Sequence, residues 1–220
     1  MLERELKLNL INESTYDALL ALYQLQIKQT THYVNFFFDT KNNDLQRQRI
    51  MFRVRVEKDN PKHNLITVKQ LNAPNIDGVI VREEYCESLP EEQGKLFTEN
   101  EQLQKLDLSV IHPQNDKIKL LIRSYGSQSL KLLGSFATIR TNIMTVNTDI
   151  VELVIDRSYF TTFQNGEYSV IPDYELECEL DNSISTKATI KLFQDIFEML
   201  QIPWVPNLFS KYERYLKIRG

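Results

Sequence analysis

Glycine is scarce, with six residues in a chain of 220, and no GxxxxGK sequence occurs. A P-loop is therefore excluded as a phosphate cradle. Cysteine is scarcer still: Cys86 and Cys178 each fall inside a predicted strand, which removes any disulfide framework and points to a reducing, cytoplasmic setting. The three histidines, His32, His63 and His112, are scattered over a strand edge, a turn and a helix boundary, so surface or structural roles outweigh metal ligation. Long apolar runs are missing as well. The longest, from Phe197 to Phe209, is interrupted by Glu198, Gln201 and two prolines, short of the ~20 residues that a membrane span needs. A net charge of -4 and a pI of about 5.5 leave no broad basic surface for nucleic acid, so any anion site must be local. No secretory or transit signal is read ahead of the first strand.

What the chain has is charge at alternate positions. In LERELKLNL, Glu3, Glu5 and Lys7 share one face of a predicted strand, with Leu6, Leu8 and Leu10 on the other. FRVRVE repeats the arrangement with Arg53, Arg55 and Glu57 against Phe52, Val54 and Val56. Thr67 with Lys69, and Arg82 with Glu84, do the same in two further strands. DYELECEL sets Glu175, Glu177 and Glu179 against Tyr174, Leu176, Cys178 and Leu180. A single such strand is explained by one wet face of an antiparallel sheet. Three glutamates within five residues are harder to explain, because like charges ~7 Å apart repel by ~2 kcal/mol per pair at an effective dielectric near 20. Something cationic belongs there. By the same reasoning, removing one of these glutamates is expected to raise stability in the absence of metal.

The remaining pattern completes the outline. NESTYDALLALYQLQ reads as a helix capped near Ser14 or Thr15, THYVNFFFDT as a strand, KNNDLQRQR as a polar turn, and NAPNIDG as a hairpin connection. From Pro90 to Tyr125 the period lengthens to that of two or more helices, interrupted at His112 and Pro113. Strands resume from Ser135 to Leu180, with turns near Asn147 and around Gln164, Asn165 and Gly166. A helix capped by Ser185 or Thr186 follows and stops before Pro203, and SKYERYLKIRG forms one more short helix. Strands at both ends of a helical middle argue for the α+β class with a mostly antiparallel sheet, in one domain spanning 1–220 with a helical insertion at about 90–125 and a helical segment at about 185–220. Oligomeric state is left as monomer or homodimer.

Taken in order, ERELK, FFFDT, FRVRVE, TVKQ, VREEY, ELVIDRS and ELECEL resemble the CYTH family, the triphosphate tunnel metalloenzymes, through nearly the whole chain. That family includes thiamine triphosphatases, inorganic triphosphatases and class IV adenylate cyclases. The resemblance implies an eight-stranded antiparallel β-barrel, a tunnel with surrounding helices, that holds a triphosphate and Mg2+ or Mn2+. It implies metal-binding roles for Glu3 and Glu5, and an acidic side formed by Asp156 and by Glu175, Glu177 and Glu179, of which Glu177 and Glu179 rank first. It implies phosphate contacts from Lys7, Arg53, Arg55, Lys69, Arg82 and Arg140, and a basic residue on the last helix at Lys211, with Arg214 nearby. Lys7, Lys211 and Asp156 are the implied catalytic residues.

Three functions fit: a metal-dependent triphosphatase, a cyclase making cAMP from ATP, and a non-catalytic polyphosphate binder. Phe52, Tyr174 and the run Phe36 to Phe38 are for the most part assigned to the packed side or the edge of the sheet, so no base-reading platform is expected. This favours the triphosphatase.

Overall fold

The computed structural model describes residues 2–57, 60–70, 79–98, 105–107, 111–125, 129–145, 150–164, 167–181, 186–207 and 209–219. The elements run β1 (Leu2–Leu10), α1 (Glu13–Leu22), β2 (Ile27–Asp39), α2 (Asp44–Arg47), β3 (Ile50–Glu57), β4 (Leu65–Gln70), β5 (Val79–Ser88), α3 (Glu91–Thr98), β6 (Lys105–Leu106), α4 (Asp116–Tyr125), β7 (Leu130–Ile143), β8 (Ile150–Gln164), β9 (Glu167–Leu180), α5 (Thr186–Met199) and α6 (Lys211–Arg219). Hydrogen-bonded strands follow the order β2-β3-β4-β5-β1-β9-β8-β7-β6, with a further β2–β7 pairing. The registers described are antiparallel. The α+β class read from the sequence stands, and among the described residues so do the eight principal antiparallel strands that the resemblance implied; β6 is a two-residue addition.

Backbone contacts divide the chain into two compact units, one built from His32–Asn72 and Arg82–Ala137, the other from Leu2–Thr31, Ala73–Val81 and Thr138–Gly220. The bounds of β2, β5 and β7 run through both ranges.

In the first unit the period of two decides which side chains leave water. Phe52, Val54 and Val56 of β3 join Ile66 and Val68 of β4 and Phe38 of β2 in one apolar cluster, and the helical insertion covers it with Phe97, Ile118 and Leu121. The opposite parity, Arg53, Arg55, Thr67 and Lys69, is thereby fixed on the other face. The KNNDLQRQR segment contains a single helical turn instead of the expected irregular turn. Its cause is Asp39, whose carboxylate accepts from the backbone N–H groups of Thr40, Leu45 and Gln46 at 2.7, 2.9 and 3.0 Å.

In the second unit Leu6, Leu8 and Leu10 of β1 pack with Leu153 and Ile155 of β8 and Leu176, Cys178 and Leu180 of β9. Tyr16 and Leu19 of α1 and Phe193 and Phe197 of α5 cover them. Each such leucine, fully buried, stabilises the fold by roughly 1.5–3 kcal/mol before entropy is charged. Burial pushes the Cys178 thiol up to about 12, so it is a packed, unreactive group. The cap of α1 is Asn12, two residues before Ser14 and three before Thr15, the positions expected. Its side chain accepts from Thr15 N–H at 2.9 Å while Thr15 Oγ1 receives the Asn12 N–H, a reciprocal cap that Ser14 would leave unmade. Trp204 packs edge-on against Phe197 at the corner after α5.

The expected turns at 72–78, at Asn147 and at Asn165 with Gly166, and the Ser185 cap, lie outside the described residues. Among the described residues no helix is long and apolar enough to cross a membrane.

Candidate active site

The core-facing leucines of β1 and β9 turn Glu5, Lys7, Glu175 and Glu177 to the other face. The antiparallel register sets Lys7 opposite Glu177, Asn9 opposite Glu175, and Glu5 opposite Glu179. Lys7 Nζ lies 2.9 Å from Glu5 Oε2 and 2.8 Å from Glu177 Oε1, with Glu175 Oε1 at 3.9 Å. On β8, Asp156 falls opposite Glu175 and is wholly buried. Arg140 on β7 clamps it through Nε at 2.9 Å and Nη2 at 2.6 Å, and the same Nη2 reaches Glu177 Oε2 at 2.5 Å.

The C-terminal helix adds a second pair of cations. Ser210 caps α6 reciprocally with Glu213, its N–H donating to Glu213 Oε2 at 2.7 Å, and this sets Lys211 at the first helical position. Lys211 Nζ lies 2.9 Å from Asp156 Oδ2 and 2.6 Å from Glu175 Oε1, and also donates to Glu177 Oε1. One turn on, Arg214 forks Asp173 at 2.9 and 2.6 Å and donates to Glu175 Oε2 at 2.7 Å. Asn207 completes the set: its amide donates to Glu175 Oε2 at 2.7 Å, and its backbone N–H bonds to Lys7 O at 2.8 Å.

Sequence reasoning did not find Asn207 or Asp173. Asp173 heads the DYELECEL run with the parity of Glu175, Glu177 and Glu179, so the alternation itself offered it, whereas Asn207 comes from an irregular segment that joins β1 by a bridge between Leu8 and Pro206.

Carboxylates expected to repel one another are thus interleaved with Lys7, Arg140, Lys211 and Arg214. Burial works against every charge, yet the neighbours decide the outcome. Despite burial, Arg140 and Lys211 hold Asp156 below the usual carboxylate range, and Lys211, Lys7 and Arg140 hold Glu177 well below it. Lys7 is raised by Glu177, Glu5 and Glu175, and Lys211 well above an ordinary lysine by Asp156, Glu175 and Glu177, in each case against burial. Glu175 goes the other way: burial raises it, and Lys211, Arg214 and Lys7 do not offset that.

The signs give a pH profile for the metal-free protein. Asp156 and Glu177 contribute stability that is complete above the ordinary carboxylate range near about pH 4 and is lost as pH falls through their lowered values. Lys7 and Lys211 contribute stability that is complete below about pH 10.4 and is lost as pH rises through their raised values. Glu175 opposes the first trend, holding its proton to higher pH in the folded chain. The melting temperature is therefore expected to hold from about pH 5 to about pH 10 and to fall in stronger acid and in stronger alkali. A melting temperature that climbs steadily from neutral pH into strong acid would contradict these pairings.

The first unit carries its own charged face. Arg53 Nη2 donates to Thr67 Oγ1 at 3.1 Å and lies 3.6 Å from Glu84 Oε1, and the other oxygen of Glu84 meets Lys69 Nζ at 2.8 Å. Glu84 thus ties two of the expected phosphate contacts together. Arg55 Nε donates to Asn35 Oδ1 at 3.3 Å, and its guanidinium carbon sits 4.0 Å from the Tyr33 ring centroid. Arg82 is buried in β5. Within the aromatic run, Phe36 and Phe38 pack in the apolar cluster as expected, while Phe37 is the exception, pairing with Arg53 in the register and stacking on Phe136. The physical reason is strand parity, which a run of three identical residues hides.

Of the residues named from sequence, the second unit brings together Glu5, Lys7, Arg140, Asp156, Glu175, Glu177, Lys211 and Arg214. Glu3 shares the parity of Glu5, and Glu179 sits opposite Glu5; both are half-buried. The first unit joins Arg53 to Lys69 through Glu84. Among the described residues, no set of three or more His, Cys, Asp and Glu side chains forms a cation cage. A hard divalent cation such as Mg2+ usually takes only one or two protein carboxylates. Glu5 and Glu177, all-oxygen donors that already converge on one cationic nitrogen, fit that need.

A family model described as the CYTH domain matches residues 1–205. Among solved structures, the chain is similar to HpAC1 of Hippeastrum, a proposed adenylyl cyclase described as having a dominant triphosphatase activity, at 20% identity and a TM-score of 0.76, covering 99% of this chain and 97% of that one. A proposed adenylate cyclase of Bacillus halodurans matches at 22% identity and a TM-score of 0.63, covering 96% and 95%. The capping enzyme triphosphatase of Mimivirus matches at 14% identity and a TM-score of 0.50, covering 90% of each chain. At these identities the likeness is one of fold. No curated protein sequence matches the chain.

Proposed function

The chain belongs to the CYTH domain family, and from that premise we propose that it is a cytoplasmic, divalent-metal-dependent triphosphatase that hydrolyses inorganic tripolyphosphate or an organic triphosphate. Members of the family take triphosphate substrates and depend on a metal, typically Mg2+ or Mn2+. The observation that carries the reading is Lys211, an ammonium seated among Asp156, Glu175 and Glu177 and within the same network as Lys7 and Arg140. Such a set supplies both what a cation needs and what phosphate oxygens need, with nothing in it arranged around a base.

In this mechanism Glu5 and Glu177 would hold the metal, with Glu3, Asp156, Glu175 and Glu179 assigned beside them from the family resemblance. When bound, Mg2+ or Mn2+ would supply charge neutralisation for the phosphate chain. Lys7 and Arg140 bind phosphate oxygens, and Arg53, Arg55, Lys69, Arg82 and Arg214 are assigned the same task. Water attacks the terminal phosphorus; the P–O bond to the next phosphate breaks and its electron pair leaves on the pyrophosphate oxygen. Lys211 is held too firmly protonated to act as a base, so its part is to stabilise negative charge. Asp156 holds Lys211 and Arg140 in orientation.

A panel of tripolyphosphate, thiamine triphosphate and ATP, scored for phosphate and cAMP with and without Mg2+ or Mn2+, tests the reading. Phosphate release is expected to require the metal and to vanish on chelation. Tripolyphosphate is expected to match or exceed ATP in kcat/KM, with little or no cAMP. Full activity after exhaustive chelation would sink the mechanism. Stoichiometric cAMP from ATP would establish the cyclase instead, and affinity without turnover the binder.

A further inference from the structure

Tyr33 and Asn35 are, with Phe37 and Asp39, buried residues of β2 that lie outside the apolar cluster. On this strand Phe36 and Phe38 enter the cluster, while Tyr33 and Asn35, 5% and 2% exposed, take the opposite parity. The register sets Asn35 opposite Arg55 and Tyr33 opposite Glu57, so both flank one arginine of the charged row. The Tyr33 ring lies under the guanidinium at 4.0 Å, and the Asn35 amide oxygen accepts from Nε at 3.3 Å.

An arginine is a long side chain with many rotamers, and its affinity for phosphate depends on how its fork of nitrogens is aimed. A ring beneath the guanidinium plane fixes the plane, and an acceptor on Nε fixes rotation within it. Together they define the direction of the two terminal nitrogens, the edge that matches a phosphate bidentately. Arg53 is held differently: its terminal Nη2 donates to Thr67 and faces Glu84.

We infer that Tyr33 and Asn35 are positioning residues for Arg55, aiming its guanidinium fork at a phosphate oxygen of the substrate; this rests on the triphosphatase reading. The preorganisation is made by the protein before substrate arrives, so its loss is felt in binding more than in the chemical step.

A double-substitution cycle tests the inference, with kcat, KM and thermal unfolding measured for tripolyphosphate hydrolysis. Tyr33→Leu is expected to raise KM about tenfold with kcat changed less than about threefold. Tyr33→Phe keeps the ring and is expected to return KM to within about twofold of the unsubstituted value. In an Arg55→Ala background, Tyr33→Leu is expected to change KM by less than about twofold, because its partner is already gone. Asn35→Ala provides the same cycle should Tyr33→Leu fail to fold. Effects of Tyr33→Leu and Arg55→Ala that multiply, or a loss of kcat and melting temperature at constant KM, would overturn the inference while leaving the triphosphatase standing. A protein that neither binds nor hydrolyses any of the three triphosphates would overturn the triphosphatase reading, and the inference with it.

Discussion

Glu177→Gln is expected to lower kcat for tripolyphosphate by about a hundred- to a thousandfold and also to lower the melting temperature of the metal-free protein. Glu177 accepts from Lys7 at 2.8 Å, from Arg140 at 2.5 Å and from Lys211. A glutamine cannot serve these three cations: one of its two head atoms becomes a donor, directed at groups that only donate. The loss of a buried partner is worth of the order of 3 kcal/mol. This reverses the expectation read from the sequence, in which removing a glutamate relieves repulsion and raises stability. The acids do not chiefly face one another; they are separated by ammonium and guanidinium groups. Glu5 meets Lys7 at 2.9 Å, and Glu5→Gln is expected to cost less stability than the loss of the three ionic contacts of Glu177. Thermal unfolding in a chelator, beside initial rates with metal, decides the matter. A variant with unchanged turnover would take Glu177 out of the metal site, and a raised melting temperature would restore the repulsion picture.

Lys211→Ala is expected to do comparable damage by the opposite route. Its ammonium is shared by Asp156, Glu175 and Glu177, two of which are entirely buried, and without it each of these carboxylates loses one of its cations, Asp156 keeping Arg140, Glu177 keeping Lys7 and Arg140, and Glu175 keeping Arg214 and a more distant Lys7. Turnover is expected to fall at least about a hundredfold. The melting temperature should fall as well, but here a divalent cation can replace the missing charge. A ligand at a hundred times its dissociation constant stabilises a fold by about 2.7 kcal/mol. Added Mg2+ or Mn2+ is therefore expected to raise the melting temperature of Lys211→Ala by more than that of the unsubstituted protein, at matched ionic strength. Equal shifts in the two proteins would mean that the cation does not stand in for the ammonium.

Local alternation carried most of what could be read without coordinates. Glu5, Lys7, Glu175 and Glu177 were legible because each lies beside a leucine that must be buried, and a period of two leaves a side chain one choice of face. The same rule found Arg53, Arg55 and Lys69. It failed where partners come from distant or irregular chain. Asn207 reaches Glu175 from a segment without periodicity, and Asp39 builds α2 with a carboxylate that looks like an ordinary strand end. It also failed where composition hid the parity. In FFFDT the middle phenylalanine faces away from its neighbours, and only the pairing of Phe37 with Arg53 reveals it. The ranking of Glu177 and Glu179 above Glu175 rested on the family resemblance alone; the register sets Glu179 opposite Glu5, Lys7 opposite Glu177 and Asp156 opposite Glu175.

β9 serves two masters with adjacent residues: Glu175 and Glu177 meet the cations, while Tyr174, Leu176, Cys178 and Leu180 lie in the core. The reading frame of this strand is consequently a structural element in its own right. Replacing one side chain alters one contact, whereas inserting or losing a single residue between Asp173 and Leu180 would exchange the two faces beyond that point, driving glutamates among leucines and leucines among cations. Variation along this strand is confined to substitution; change in length must be taken up in the loops that flank it.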